Sequence, residues 1–280
     1  MKSRPGAAVA AGADVGASLV KLALRDGDGH TRYEVLPSGD LPAVAAHLAA
    51  SSPVRVGLTG GGASRLARLL HSDPAVVAEF DAWAAGARQM LREEGQAPTR
   101  FLLVSLGTGT SAVLVDGDAV RRVGGTALGG GTLQGLGRAL AGTSRFEELI
   151  ALAGTGDRKR VDLLIRDVYP EGGFLLPPEV NAASFARLAR LRDDELPGRG
   201  DLVHALIGLV GENVALIVCG LAAAHEATHV VFGGTTLRDN PALIAVLRLV
   251  CLAYGRHATF LPRGELAGAL GALERVVAAR

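Results

Sequence analysis

The sequence predicts an α/β protein made of two similar halves. Each half begins with a strand, a turn of small residues and a second strand, at residues 8–24 and 101–115. Each half also has a later strand that ends on a Gly/Thr turn, at 59–64 and 233–236. Apolar runs bounded by Gly are typical of buried strands. The repeated pattern indicates an internal duplication, with a nucleotide in the cleft between two lobes and one phosphate-binding loop from each.

Composition limits the class of protein. The chain has 280 residues, of which 49% are hydrophobic and 20% charged, as expected for a globular rather than a disordered protein. We place the two lobes at 1–100 and 101–280. The net charge of +1 gives no reason to expect nucleic acid or a membrane surface as a partner.

The cysteines and the apolar segments favour a cytoplasmic location. Cys219 and Cys251 lie in apolar surroundings, as small core residues do in a reducing compartment, although a disulfide stays open as an alternative. The Ala/Gly run after Lys2 and Arg4 is too short for a signal-peptide core. Residues 205–224 look long and apolar enough for a membrane span. Their polar centre, Glu212-Asn213, would be costly in lipid, so we predict a buried or interface helix.

The first 36 residues predict an antiparallel meander. Its strands are 8–11, 19–24 and 31–36, with two Asp-Gly pairs marking a turn before the third. Asp14 comes where the first strand gives way to a turn of small residues. A carboxylate in that position suits a water-bridged Mg²⁺ beside nucleotide phosphates. The DxGxS pattern alone is common, so a purely structural turn is the alternative.

The remainder of the first half predicts a carboxylate on a long helix. We expect helices at 41–51, 65–70 and 74–94 and a strand at 54–58. Pro74 suits the first turn of the third helix and Gly95 its ending. Glu79 and Asp81 cannot share a face of that helix, because residues two positions apart point in different directions. One of them can therefore face a cleft while the other caps the helix or is solvated.

The central stretch, 104–137, carries the densest Gly/Thr pattern. Apolar runs at 101–104 and 112–115 flank the turn Gly107-Thr108-Gly109-Thr110-Ser111, and a third strand reaches Val123. A second turn, 124–132, opens into a helix at 133–140. Backbone N–H groups of two such turns, the second at a helix start, can bind phosphate. The alternative is that these glycines form ordinary loops in a chain that contains 38.

The second half continues with alternating elements. We expect helices at 144–153, 157–168, 181–189, 201–227, 240–254 and 265–279, strands at 229–232 and 258–261, an irregular segment at 169–180 and a charged connection at 190–200. Ser144 and Asp201 are the expected caps of their helices. The chain has neither a GxxxxGK[ST] loop nor a GxGxxG turn in a βαβ unit, so the two commonest phosphate cradles are absent.

Several of these motifs together resemble the type II pantothenate kinases, within the superfamily of acetate and sugar kinases, Hsp70 and actin. The resemblance covers nearly the whole chain, and its motifs are 12–21, 59–63, 79–82, 107–111, 121–132, 232–240 and 268–273. It implies two RNase H-like lobes of the actin-like ATPase type. It also implies ATP and Mg²⁺ as cofactors, pantothenate as the small-molecule substrate, and a homodimer with 201–227 as candidate interface. A helix that is simply core is the alternative for 201–227.

The resemblance also assigns roles to residues. Glu79 matches the catalytic carboxylate that takes the proton from the primary hydroxyl of pantothenate as it attacks the γ-phosphate of ATP, and Arg122 matches a substrate-site arginine. Positions that match the ATP site are Asp14, Gly16, Ser18, Lys21, Thr108, Gly130, Gly131, Thr132, Gln134, Phe146 and one of Thr235 or Thr236, with Asp14 holding Mg²⁺ through water. Phe146 can stack on adenine, or it can be an ordinary core or surface residue.

One departure from the family leaves other functions open. Relatives usually carry Gly-Gly-Thr where this chain has Gly16-Ala17-Ser18, and Ala17 would be strained at a positive φ. We expect an ATP-dependent pantothenate kinase. The alternatives are a kinase for another small hydroxyl compound, such as a pantothenate or pantetheine analogue, and a nucleotide-binding pseudokinase. The joint presence of Glu79, Arg122 and Lys21 argues against the pseudokinase.

Overall fold

The computed structural model describes residues 8–172 and 177–279. Its strands are β1 (Ala8–Val15), β2 (Leu19–Asp26), β3 (Thr31–Pro37), β4 (Arg55–Thr59), β5 (Ala75–Val76), β6 (Arg100–Leu106), β7 (Thr110–Asp116), β8 (Ala119–Thr126), β9 (Leu163–Leu164), β10 (Asn181–Ala183), β11 (His229–Gly233) and β12 (His257–Phe260). Its helices are α1 (Leu41–Ala50), α2 (Ala63–Ala67), α3 (Glu79–Glu93), α4 (Gly130–Ala141), α5 (Phe146–Gly154), α6 (Ile165–Val168), α7 (Arg199–Ala224), α8 (Pro241–Ala253) and α9 (Ala267–Ala278).

Two five-stranded sheets share one topology. The first has the order β3-β2-β1-β4-β5 and the second the order β8-β7-β6-β11-β12. In each sheet the three strands of a meander pair antiparallel. A fourth strand pairs parallel with the meander's first strand, and the fifth pairs parallel with the fourth. The predicted α/β class and internal duplication are therefore confirmed. Strands that correspond in the two sheets end on the predicted Gly/Thr turns.

Two helices, α3 and α9, fill the space between the sheets. Their buried faces share one apolar cluster with Ala10 and Ala23 of the first sheet and with Val113 and Val231 of the second. The last helix of the chain therefore returns to the first sheet. Small residues allow this close approach, because a Cβ on Gly12 would lie 2.1 Å from the carbonyl oxygen of Ala269.

The long helix α7 forms much of the second core. Within the described ranges it is the one helix that is long and apolar enough to cross a membrane by those criteria alone, and 61% of its most apolar window is buried. The expectation of a buried helix is thus confirmed for most of its length. Cys219 and Cys251 are buried free thiols with their sulfur atoms 3.8 Å apart, as expected of core cysteines. Leu216 and Ile217 remain exposed on the outer face.

Three local predictions in the first half and at α5 and α7 need correction. The helix expected from Pro74 begins at Glu79, because Ala75–Val76 pairs with β4 as a parallel edge strand. Ser144 does not cap α5, because the helix begins at Phe146 and Arg145 takes the cap position without a side-chain hydrogen bond. Asp201 lies in the first turn of α7 rather than before it, and its carboxylate accepts from the backbone N–H of Gly198.

The segment between α5 and α7 departs most from prediction. Helices expected at 157–168 and 181–189 are replaced by short 3₁₀ turns, the β9–β10 pair and the four-residue α6. The physical reason is a buried carboxylate, Asp162, which accepts from Arg158 and from the backbone N–H of Phe185 and so ties distant residues together. Four residues of the predicted irregular segment, 173–176, lie outside the described residues, as do Lys2 and Arg4.

Candidate active site

A buried acid at the end of β1 anchors the site. Antiparallel pairing of β1 with β2 sets Asp14 opposite Lys21, and Lys21 Nζ lies 3.3 Å from Asp14 Oδ2. Asp14 is only 4% exposed. Two glycines pack against its carboxylate oxygens. If they carried a Cβ atom, that atom would lie 2.7 Å from Oδ1 at Gly60 and 2.9 Å from Oδ2 at Gly268. Asp14 Oδ1 accepts no hydrogen bond from any described residue.

Burial and charge shift the pKa of two carboxyl groups here. Burial raises the pKa of Asp14, and the Lys21 ammonium partly opposes that shift. The pKa of Glu79 is also raised, first by burial and then by the nearby Asp14 charge, with Lys21 again opposing. Glu79 is the first residue of α3, directly after the β5 edge. The three side chains thus form one electrostatic cluster, in which Glu79 is a stronger base than a solvated glutamate.

Glu79 and Arg122 line one cavity, which we call the Glu79 cavity. Its volume is about 520 Å³. The rest of its lining is mainly hydroxyl and glycine residues: Ser105, Gly107, Thr108, Gly109, Thr110, Ser111, Gly125, Thr126 and Ala127. Arg122 lies on β8, and its Nη2 would be 3.3 Å from a Cβ on Gly125. A carboxylate base and a permanent cation thus face one polar space, which suits an acceptor that carries hydroxyl and anionic groups.

A second cavity, of about 180 Å³, adjoins the first. We call it the Ser18 cavity. Eight of the predicted ATP-site residues line it: Ser18, Thr108, Gly130, Gly131, Gln134, Phe146, Thr235 and Thr236. The first half of the chain contributes Ser18, and the second half contributes the other seven. Gly107 and Thr108 line both cavities, so the two spaces meet at the predicted turn.

Hydrogen bonds hold this turn rigidly. Gly130 and Gly131 donate their backbone N–H groups to the carbonyl oxygens of Gly107 and Thr108, at 2.8 and 2.9 Å. The Thr236 hydroxyl also donates to the Gly107 carbonyl, at 2.8 Å. The predicted donation of N–H groups to phosphate therefore does not extend to Gly130 and Gly131. The two glycines instead form a closely packed part of the lining of the Ser18 cavity, since a Cβ on Gly130 would lie 2.6 Å from Thr236 Oγ1.

Some predicted residues lie beside the cavities rather than in their lining. Thr132 Oγ1 donates to the carbonyl of Ala127 and accepts weakly from the backbone N–H of Gly129, so it caps α4. Gly16 donates its N–H to the Leu19 carbonyl within the first turn. Ala17 is absent from the non-glycine residues with positive φ in the described part of the chain, so the expected strain does not arise.

Sequence reasoning missed two charged residues of the Ser18 cavity. Arg238 and Glu147 both line it, and Arg238 Nη2 lies 4.0 Å from Glu147 Oε1. Arg238 could have been found from the sequence, because it lies two residues after Thr236 within the motif 232–240. Glu147 follows Phe146 in the first turn of α5, where it also resembles an ordinary helix-start acid.

Comparison with known proteins identifies the family. The Fumble family profile matches residues 69–275. This chain belongs to the Fumble family. Curated relatives named type II pantothenate kinase cover almost the whole of it. The protein from Staphylococcus haemolyticus (strain JCSC1435) is 32% identical over 94% of this chain and 98% of its own length. The one from Staphylococcus aureus (strain USA300) is 29% identical over 94% and 97%. The family predicted from the sequence is confirmed.

Solved structures confirm the fold of this Fumble-family chain. The activator of the 2-hydroxyisocaproyl-CoA dehydratase from Clostridium difficile, with bound ADPNP, has a TM-score of 0.63 at 16% identity and covers 95% of this chain and 93% of its own. A ROK family glucokinase from Streptomyces griseus, in complex with glucose and AMPPNP, has a TM-score of 0.62 at 14% identity, covering 96% and 99%. The actin-like two-lobe architecture predicted from the sequence is thus confirmed.

Proposed function

We propose that this chain is an ATP-dependent pantothenate kinase, which makes 4′-phosphopantothenate for coenzyme A synthesis. One observation carries the proposal: the cavity with Glu79 and Arg122 meets the cavity with the predicted ATP residues at Gly107 and Thr108. An acceptor hydroxyl in the first and a γ-phosphate from the second would meet at this turn. The relatives named type II pantothenate kinase support the choice of acceptor.

Each side chain has a role that its surroundings support. Glu79 takes the proton from the attacking hydroxyl, and its raised pKa makes it a better base. Arg122 stabilises negative charge on the acceptor or on the transferring group. Ser18 and Thr108, from opposite lobes, flank the phosphates, while Phe146 stacks on the adenine. Phosphoryl transfer needs mainly such positioning and charge neutralisation.

Mg²⁺ fits beside Asp14. The Asp14 Oδ1 atom has no hydrogen-bond partner among the described residues and can accept from a metal-bound water. Bound Mg²⁺ would neutralise charge on the nucleotide phosphates. Lys21 would then share its charge between Asp14 and a phosphate. The same side chains that set the pKa of Glu79 therefore also bind the nucleotide.

The proposed activity is tested by coupled ADP release. Purified protein with Mg-ATP is assayed with and without pantothenate, and the product is identified by mass. We expect ADP release that depends on pantothenate, together with a phosphopantothenate product. Turnover of a different hydroxyl compound from a substrate panel would replace pantothenate as the acceptor. ATP binding without turnover of any acceptor would favour the pseudokinase.

We also propose a cytoplasmic homodimer that pairs through the outer faces of α7 and α8. Four large apolar side chains support this surface: Leu216, Ile217, Leu249 and Leu252. Leu249 and Leu252 are 67% and 71% exposed, which is unusual for neighbouring leucines on one helix.

We propose that the two lobes divide near residue 100, with α9 of the second half packing back onto the first sheet.

Charges on this face should separate the dimer. We expect the wild-type protein to elute as a dimer in size-exclusion chromatography with light scattering, and the Leu249→Asp/Leu252→Asp double variant to elute as a folded monomer. Val54→Asp is the matched control, because Val54 is 83% exposed and directly precedes β4 of the first sheet, outside α7 and α8. A monomeric wild-type protein, or a double variant that stays dimeric, would contradict the proposed interface.

A further inference from the structure

A buried hydroxyl beside Asp14 has no hydrogen-bond partner among the residues that the structure describes. Thr59 is the last residue of β4 and is fully buried. Across residues 8–172 and 177–279, six buried side-chain nitrogen or oxygen atoms make no hydrogen bond, and Thr59 Oγ1 is the hydroxyl among them. An unpaired buried hydroxyl is destabilising, whereas valine would fill almost the same volume without that cost. Its presence points to a partner that arrives with a ligand.

Strand register places this hydroxyl next to the anchoring acid. Asp14 and Thr59 are partners in the parallel pairing of β1 with β4, so their backbones are about 4.8 Å apart. Both side chains point to the same face. Gly12 and Gly57, two positions earlier in each strand, pack against α9, with hypothetical Cβ atoms 2.1 Å from Ala269 O and 2.3 Å from Ala272 O. Alternate residues share a face, so Asp14 and Thr59 also face α9.

The nucleotide would change what Asp14 needs. Without it, Lys21 Nζ lies 3.3 Å from Asp14 Oδ2 and compensates the buried charge. A bound phosphate would compete with the Asp14 carboxylate for that ammonium group, because the phosphate and the carboxylate are both anions. With a metal-bound water on Oδ1, the Oδ2 atom of Asp14 would still lose part of its Lys21 partner, and a buried carboxylate oxygen with less compensation is unfavourable. Thr59, its partner on the neighbouring strand, has a hydroxyl that donates to none of the described residues.

We propose that Thr59 is a positioning residue of this site, whose hydroxyl donates to the Asp14 carboxylate, directly or through a water, once a nucleotide is bound. The hydrogen bond stabilises the ionised form of Asp14 and fixes its orientation while Lys21 turns toward phosphate. Thr59 touches neither the acceptor nor the transferring group, so it acts through Asp14. The inference rests on the proposed kinase function for its nucleotide, but not on the identity of the acceptor.

Two substitutions separate this role from a structural one. Thr59→Val removes the hydroxyl and keeps the volume, while Thr59→Ser keeps the hydroxyl and removes a methyl group. We expect the valine variant to melt at or above the wild-type Tm, but to lose at least half of the Tm increase caused by Mg-ATP and about tenfold in kcat. The serine variant should melt lower and retain both the Mg-ATP effect and kcat. A residue that served packing alone would give the same order of Tm values, but the valine variant would then keep the full Mg-ATP effect and the wild-type kcat.

The Mg-ATP effect on Tm decides the inference independently of the acceptor. If the valine variant keeps the full wild-type increase in Tm, Thr59 gains no partner on nucleotide binding and the inference is overturned. If wild-type protein responds to Mg-ATP but does not phosphorylate pantothenate, the proposed acceptor fails. The comparison of Thr59→Val with Thr59→Ser still stands in that case.

Discussion

Glu79→Gln should lower kcat by about 10² to 10⁴ and leave ATP affinity unchanged. Glutamine keeps the size and the first-turn position of the side chain but cannot accept a proton. Glu79 lines the cavity that also holds Arg122, and it lies outside the lining of the Ser18 cavity. Loss of the base should therefore affect the chemical step rather than nucleotide binding. Pantothenate-dependent ADP release and ATP titration by calorimetry measure the two effects separately.

The pH dependence gives a second test of the same residue. Burial first and Asp14 second raise the pKa of Glu79 above its ordinary value of 4.5. A base works only when deprotonated, so wild-type kcat should fall as the pH drops through this raised pKa. The acidic limb should disappear in Glu79→Gln. Asp81→Asn is the control, since Asp81 is on the same helical turn but points elsewhere, and its kcat should match the wild type. Near-normal turnover by Glu79→Gln would remove Glu79 from the mechanism.

Sequence reasoning was most successful where the chain repeats itself. Gly/Thr turns after apolar runs are visible locally. Their recurrence at 59–64 and 233–236, with the strand–turn–strand units at 8–24 and 101–115, predicted an internal duplication, and the two sheets do share one topology. The predicted start of α3 at Pro74 was wrong, because Ala75–Val76 forms a strand by pairing with residues of β4 that lie eighteen positions earlier. Helical propensity within the segment carries no information on that distant pairing.

The helices predicted before α7, at 157–168 and 181–189, were wrong for a related reason. Asp162 falls within the helix predicted at 157–168, yet it is fully buried and bonded to Arg158 and to the Phe185 backbone. A buried carboxylate with long-range partners overrides helix propensity, because leaving it unpaired would cost far more than a few helical hydrogen bonds.

The sequence could propose which residues form the candidate site but not how they are arranged. The end of the first strand drew attention to Asp14, and the resemblance to type II pantothenate kinases assigned Lys21 and Glu79, while the structure adds that these three charges act on one another. Thr59 begins the motif 59–63, but nothing in the sequence assigned it a role of its own, because an unpaired hydroxyl is a property of packing. The amides of Gly130 and Gly131 seemed free in sequence, yet the turn at Gly107 already uses them.

A single methyl group at Gly271 should destabilise the protein more than any other conservative change considered above. A Cβ there would lie 1.6 Å from the carbonyl oxygen of Ala82 on α3, and one on Gly86 would lie 1.9 Å from that of Ala267 on α9. Both obstacles are backbone atoms, so the two helices must separate. Moving α9 would also disturb its contact with Asp14 at Gly268. We expect Gly271→Ala to lower the free energy of unfolding by at least about 3 kcal/mol, measured by urea denaturation.

A second glycine on a helix shows why the position matters more than the substitution. Gly135 lies within α4, and a Cβ there would have no atom within 4 Å. Gly135→Ala should therefore stabilise the protein by about 0.5–1 kcal/mol, since alanine loses less backbone entropy on folding. The two variants should shift the urea midpoint in opposite directions. If Gly271→Ala unfolds at the wild-type urea concentration, α3 and α9 are not held in backbone contact, and the rigid support inferred for Asp14 fails with them.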